Sequence, residues 1–309
     1  MCTRPTVLLT GLAALTALLL AWPGVVPNQV GRVGSLLEVF LPWLGLAVVV
    51  LFGLALLFRS SVALIALLLP VAAWTQQFGG LLLPDPGPGP RELVVVQHNV
   101  SDVNPDPADT ARALADADPD LIALQELVPA ALPVYEEVLA ARFPHHVVRG
   151  TVGLWSRYPI DGARPLDIRP EGITESWNRG LRAVVATPHG DIAAYVAHLP
   201  SVRVRPSGFD SAWRDESAGL LGRAVAAERV RAVVLLGDLN GTVDDRGLDP
   251  LVSRLHTAER GFAFSFPAAV PLARIDQVMA RSATVRHVRT LPATGSDHLP
   301  IAARIALER

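Results

Sequence analysis

Carboxylates, amides and imidazoles recur in a fixed order down this chain from residue 99 onward: Asn99, Glu126, His198, Asp238 with Asn240, Asp276, and Asp297 with His298. Most stand just past an apolar run that reads as a buried strand. Val94-Val95-Val96 precedes Asn99, Leu121 to Leu124 precedes Gln125-Glu126, Ile192 to Val196 precedes His198, and Val233 to Leu236 precedes Gly237-Asp238-Leu239-Asn240. Hard oxygen donors delivered at neighbouring strand ends can converge on one divalent cation, and imidazoles beside them on one phosphate. Metal-assisted attack of water on a phosphoester is the chemistry this set supports.

The parts divide that work by type. Asp238 and Asn240 are two apart, so in extended chain they share a face. The carboxylate can orient or deprotonate a water, and the amide can donate to a phosphate oxygen. A plain Asx turn explains that pair equally well in isolation, with Gly237 as the sharp bend. Glu126 with Asn99 suffices for a cation such as Mg²⁺, which takes few protein ligands and keeps several waters. Asp297 and His298 are adjacent and cannot easily pair, so Asp276, in the apolar run Arg274 to Met279, is the partner expected to orient His298. His198 is the second imidazole. His145, His146, His189, His256 and His287 read as ordinary packing or surface residues.

Elements that would position these groups alternate along the chain. Strands are expected at Leu93–Val96, Leu121–Leu124, Ala183–Ala186, Ile192–Val196, Ala232–Leu236, Arg274–Met279 and Ile301–Ala306. Pro107–Ala117 and Ser217–Glu228 read as helices, and residues 187–191 as a hairpin turn. Strands mixed with helices over about 215 residues argue for a layered α/β domain.

The first 83 residues differ in kind. Half of the 309-residue chain is hydrophobic, and the excess lies almost wholly here. Val7–Trp22, Val39–Phe58 and Val62–Trp74 read as three membrane spans of residues 1–83, the third short unless it runs on through Gln76, Gln77 and Leu81 to Leu83. Arg4 and Arg59 on one side, against Arg32 with Glu38 on the other, favour a cytoplasmic N-terminus and an external C-terminal domain. The alternating Pro and Gly of residues 84–90 mark an extended linker, and residues 91–309 the catalytic domain. Cys2 is the only cysteine, which excludes disulfides and Cys-based zinc sites. The formal charge is −2, which argues against a stable nucleic-acid complex.

The ordered motifs resemble the endonuclease/exonuclease/phosphatase superfamily from about Leu93 to Leu307, including the Ser156-Arg157-Tyr158-Pro159-Ile160 stretch. The resemblance implies a two-sheet α/β sandwich, here preceded by three transmembrane helices, and Mg²⁺-dependent hydrolysis, with Mn²⁺ as the alternative cation. It implies metal binding by Glu126, with Asn99 and Asp297 nearby. Asp238 would position water, Asn240 would hold the phosphoryl group, and His298, oriented by Asp276, would contact phosphate together with His198. One departure is Ser101, where many nuclease members carry Asp. Asp102 is next to it and is expected to point elsewhere.

The three spans, the linker and the acidic domain further resemble VanJ-like membrane proteins linked to glycopeptide-antibiotic resistance. That implies hydrolysis of undecaprenyl pyrophosphate, or a related lipid pyrophosphate, at the outer face of the cell membrane. Arg203 and Arg205 are candidates to clamp the pyrophosphate bidentately, solvated surface arginines being the plainer account. A membrane-tethered nuclease or phospholipid phosphodiesterase with the same metal site is the alternative, and a binding module without activity is the third reading.

Overall fold

The computed structural model describes residues 4–308, so Cys2 lies outside the described residues. The chain forms two compact units. One comprises the chain up to Leu83 together with Val204–Asp210, and the other comprises Pro84–Arg203 with the chain from Ser211 onward.

In the first unit, α1 (Arg4–Ala21) has leucine, valine and alanine on every side and no charge after its first residue. Its 18 residues are long and apolar enough to cross a membrane. The second candidate segment breaks into α2 (Val33–Val39) and α3 (Leu44–Leu57), which bend by 68°. Pro42 lies at the bend, in a short 3₁₀ turn, where its ring denies one backbone donor. Trp74 Nε1 donates to the Pro42 carbonyl at 2.8 Å. The third segment, α4 (Ser61–Ala66) and α5 (Leu68–Phe78), runs as one 22-residue helical stretch from Ser61 to Leu82. Gln76, Gln77 and Leu81 therefore belong to it. Leu9, Ala13, Val48, Leu51, Ala55, Ala63 and Leu67 form the apolar contact among these helices.

The second unit opens with β1 (Glu92–Asn99), α6 (Pro107–Asp116) and β2 (Leu121–Gln125). Next come α7 (Leu132–Leu139), β3 (His145–Arg149), β4 (Val152–Ser156), β5 (Ile160–Pro165), β6 (Gly180–Thr187) and β7 (Gly190–His198). A small hairpin, β8 (Arg203–Arg205) and β9 (Gly208–Asp210), leads to α8 (Ala212–Ala226), β10 (Ala232–Asp238) and α9 (Asp249–Val252). The chain closes with β11 (Asp276–Arg281), β12 (Ala283–Thr290) and β13 (Ile301–Leu307).

The large strands form two sheets, in the orders β12-β13-β1-β2-β4-β3 and β11-β10-β7-β6-β5. Alternation along each strand explains the layering. Leu93 and Val95, Leu121 and Ala123, Ala194 and Val196, and Val234 and Leu236 fill the space between the sheets. The opposite face of the first sheet, with Val96, Ile122 and Leu124, is covered by α6 and α7. That of the second, with Tyr195, Val233 and Leu235, is covered by α8 and α9. This is the two-sheet α/β sandwich.

Residues 84–90, expected to be an extended spacer, are folded onto the catalytic unit. Asp85 pairs with Arg304 and with His287 (3.5 Å), and Arg260 donates to the Pro84 carbonyl at 3.0 Å. Pro and Gly prevent a regular element here, but one carboxylate facing basic groups removes the spacer's freedom.

Candidate active site

Carried to one end of the sandwich, the inward-facing rows change from apolar to polar together. Val95 is followed in its row by Gln97 and Asn99, Ala123 by Gln125, Val196 by His198 and Leu236 by Asp238. Strands β1 and β2 are parallel, as are β7 and β10, so their C-terminal ends share an edge. Strand β11 runs antiparallel to β10 and presents its first residue, Asp276, opposite Asp238. The site is thus the polar continuation of the inter-sheet core.

Gly237 was expected to bend the chain, yet it lies within β10. A Cβ there would meet the Ala197 carbonyl oxygen at 2.1 Å, so glycine allows β7 and β10 to approach closely beside Asp238 and His198. The irregular backbone comes at the neighbours instead. Glu126 (φ 61°) and Asn240 (φ 48°) both adopt the left-handed region, uncommon for residues with a Cβ.

His298 Nδ1 and Asp276 Oδ2 are 2.8 Å apart, the pairing expected from sequence. Gln97 donates to the other oxygen of Asp276 at 3.1 Å. The Phe266 ring packs 4.9 Å from the imidazole. Ser296 ties the loop down by donating to the Asn99 carbonyl at 2.8 Å and accepting from His298 N–H at 3.1 Å. Asp238 accepts from Asn99 Nδ2 at 3.1 Å and from Asn240 N–H at 2.9 Å. Asn240 Nδ2 donates to the Leu199 carbonyl at 3.0 Å, which fixes the loop after β10.

Charge states follow from burial and neighbours. Burial pushes the Asp238 carboxyl up; His298 opposes this and Asp276 adds to it, leaving it at about 7. Burial works against an imidazolium at His298, but Asp276 and Asp238 outweigh it and raise His298 to about 10. His198 is pushed down to about 3 by burial and by Arg179, so it is neutral. Asp276 is held below the usual carboxylate range despite burial, by His298 with Ser265 and Gln97.

The donor set fits a hard cation. His198 Nε2 is buried with no hydrogen-bond partner among the described residues, 3.7 Å from Glu126 Oε1 and 3.6 Å from Asp238 Oδ2. An orphaned imidazole nitrogen between two carboxylates suits a bound phosphate or water. Asp238, Asp276 and His298 also lie close enough to hold an ion, but His298 is charged and already paired. The Glu126–Asn99 side is therefore the better cation position. Asp297 is exposed beside His298. Asp102 corrects an expectation: the chain turns at Ser101 (φ 62°), and Asp102 N–H donates to Glu126 Oε2 at 3.2 Å. Its carboxylate acts on Arg179 together with those of Glu126 and Asp238.

Arg203 and Arg205 are both exposed on β8, and Arg205 is held by Asp210 at 3.1 Å. The cation beside His198 is Arg179, whose Nη1 is 3.5 Å from His198 Nδ1 and whose guanidinium stands 5.1 Å from the Trp177 ring centre. Arg179 precedes β6 and belongs to no motif, so nothing in the sequence singles it out. Ser156 pairs with Leu121 at the other end of β2, so the 156–160 stretch is a structural corner and not part of the site.

Arg214, whose side chain is fully buried, links this loop to α8. It pairs with Asp215 (2.8 Å) and Asp245, and donates to the Asn240 carbonyl at 3.0 Å. Breaking such a buried pair leaves a charge without compensation. Asp245→Ala is expected to destabilise the fold by about 3–5 kcal/mol, read as a lower denaturant midpoint.

Comparison with known proteins agrees with this geometry. No protein of curated function matches the chain in sequence. A solved endonuclease/exonuclease/phosphatase from Beutenbergia cavernae is 21% identical, with a TM-score of 0.58 over 71% of this chain and 72% of its own. D. rerio TDP2, solved with a single-strand DNA product, is 20% identical, with a TM-score of 0.56 over 69% and 98%. A Staphylococcus aureus beta toxin mutant with bound magnesium ions is 14% identical, with a TM-score of 0.54 over 71% and 100%. These likenesses speak to the fold. The Endonuclease/Exonuclease/phosphatase family pattern matches residues 96–298, from β1 to the paired His298, and the chain belongs to that family.

Proposed function

We propose that this protein is a membrane-anchored, divalent-metal-dependent phosphohydrolase that acts on a lipid pyrophosphate, undecaprenyl pyrophosphate foremost, at the outer face of the membrane. One observation carries the reading: a domain of the Endonuclease/Exonuclease/phosphatase family shares a chain with helices long and apolar enough to cross a membrane. Tethering concentrates such an enzyme on a substrate confined to the same bilayer, and gives no such advantage with soluble nucleotides.

The residues divide the chemistry. Glu126 and the Asn99 Oδ1 would hold the cation, which supplies positive charge to polarise the phosphoryl oxygen. Asp238, fixed by Asn99 and Asn240, orients the attacking water and takes its proton. His298, kept protonated by Asp276, donates to a phosphate oxygen as charge builds there. Neutral His198 offers Nε2 to another oxygen, and Arg179 offsets the second phosphate of the pyrophosphate.

Three crossings from a cytoplasmic Arg4 would carry the catalytic chain to the outer face. A topology reporter fused after Arg309 should read external, and a cytoplasmic signal would sink the external reading.

A nuclease is the second reading, favoured by the likeness to TDP2 solved with DNA and opposed by the net charge of −2. The deciding assay measures phosphate release from undecaprenyl pyrophosphate by full-length protein in detergent, beside plasmid nicking. Chelation with EDTA should remove at least about 99% of phosphate release and Mg²⁺ should restore it, with plasmid left intact. Nicked plasmid with untouched lipid would give the function to the nuclease reading.

A further inference from the structure

Among the described residues, four large apolar side chains stand exposed on the catalytic unit: Val103, Trp213, Val270 and Leu272. Scattered singly, such residues need no explanation. Three of these four, however, lie on two loops fastened to the site. Val103 belongs to the turn in which Asp102 N–H donates to Glu126. Val270 and Leu272 belong to the turn that follows Phe266, the residue packed on His298, and Ala268 N–H donates to the Asp297 carbonyl at 2.7 Å. The loop between them carries Gly295, where a Cβ would meet Pro105 at 3.4 Å. The two apolar tips thus flank the loop that delivers Asp297 and His298.

The longer tip is unusual in composition. From Phe262 to Leu272 the sequence is Phe-Ala-Phe-Ser-Phe-Pro-Ala-Ala-Val-Pro-Leu, eleven residues without a charge. Its base is rigid. Arg274 donates to the Gly261 carbonyl at 3.1 Å, Leu272 N–H donates to the Phe266 carbonyl at 2.9 Å, and Val270 N–H closes a turn onto the Pro267 carbonyl at 3.1 Å. A fixed, uncharged turn that holds aliphatic side chains out in water suits an apolar phase. In a chain whose first 83 residues hold helices long and apolar enough to cross a membrane, that apolar phase is the bilayer.

We propose that the 266–272 turn, flanked by Val103, is a lipid-contact surface that dips into the boundary between head groups and hydrocarbon and brings the catalytic mouth to the substrate's phosphates. This rests on the membrane-anchored reading above, and a direct depth measurement separates the two. In full-length protein with Cys2→Ser, a single cysteine at Val270→Cys would carry an environment-sensitive fluorophore. A second at Arg231→Cys, at the far end of β10 from Asp238, is the reference. In phosphatidylglycerol/phosphatidylethanolamine vesicles containing doxyl-labelled lipid, the probe at 270 is expected to be quenched at least about threefold more than that at 231. Equal quenching, or a probe at 270 shielded equally in lipid-free detergent by a second copy of the chain, would overturn the proposal. This holds whatever the substrate proves to be.

The activity arm uses Val270→Asp with Leu272→Asp. The KM for lipid pyrophosphate in vesicles is expected to rise about tenfold or more, with turnover of a short water-soluble phosphoester unchanged within about twofold. Equal kinetics on both substrates, or equal loss on both, would mark the turn as inert or as a packing element and overturn the lipid-contact role.

Discussion

Replacing Asp238 by asparagine is expected to lower turnover by about 10³–10⁴-fold while leaving the fold intact, measured as metal-dependent phosphate release. The substitution keeps the shape and removes the acceptor. Asn240 N–H donates to Oδ1 (2.9 Å) and Asn99 Nδ2 to Oδ2 (3.1 Å), so an amide with its oxygen at Oδ1 keeps the first bond and loses the second, a cost of about 1–3 kcal/mol. What disappears is the buried carboxylate that stands 3.8 Å from His298 Nε2, whereas Asp276 is hydrogen-bonded to the same imidazole at 2.8 Å. Burial, moderated by His298 and reinforced by Asp276, sets Asp238 at about 7. A base must be ionised to act, so the wild-type rate should climb with pH through that region at constant saturating Mg²⁺. In Asp238→Asn that acid limb should vanish along with most of the rate. A residual rate that keeps the limb would mean another group is the base.

Much of this arrangement was visible in the sequence, and the exceptions have physical reasons. The strands that deliver Asn99, Glu126, His198 and Asp238 are buried on both faces, so they read as continuous apolar runs, and the site residue stands two or three positions past the end of each run. Strand β12 was missed because its register shifts between Val285 and His287, which breaks the period-two pattern. Edge strands β3 and β5 have mixed composition, since one side of each meets water. Arg179 could not be singled out, because nothing local distinguishes a guanidinium beside a buried imidazole from one in solvent. Asp102 was misjudged by assuming strand geometry past Val100, where Ser101 turns the chain. The 262–272 tip illustrates the opposite limit. Its apolar residues look like core in sequence, and only the fold shows that Val270 and Leu272 are exposed.

His298→Ala should lower turnover by about 10³-fold, with Asp276→Asn intermediate at about 10²-fold. The two variants separate through their pH profiles, and the signs follow from the pair's electrostatics. Despite burial, Asp276 and Asp238 raise His298 to about 10, so the donor form persists across the neutral range and the wild-type rate should fall only as pH nears that value. Removing His298 deletes a positive charge that lowers Asp238, so the acid limb should move above 7. Removing the Asp276 charge does the reverse, because that charge raises both partners. The acid limb should then move below 7 and the alkaline limb below 10. Opposite displacement of the acid limb is therefore the signature of a proton donor and a base that share one buried field. Identical limbs in all three proteins would show that Asp238 and His298 titrate independently, and the division of roles between them would have to be abandoned.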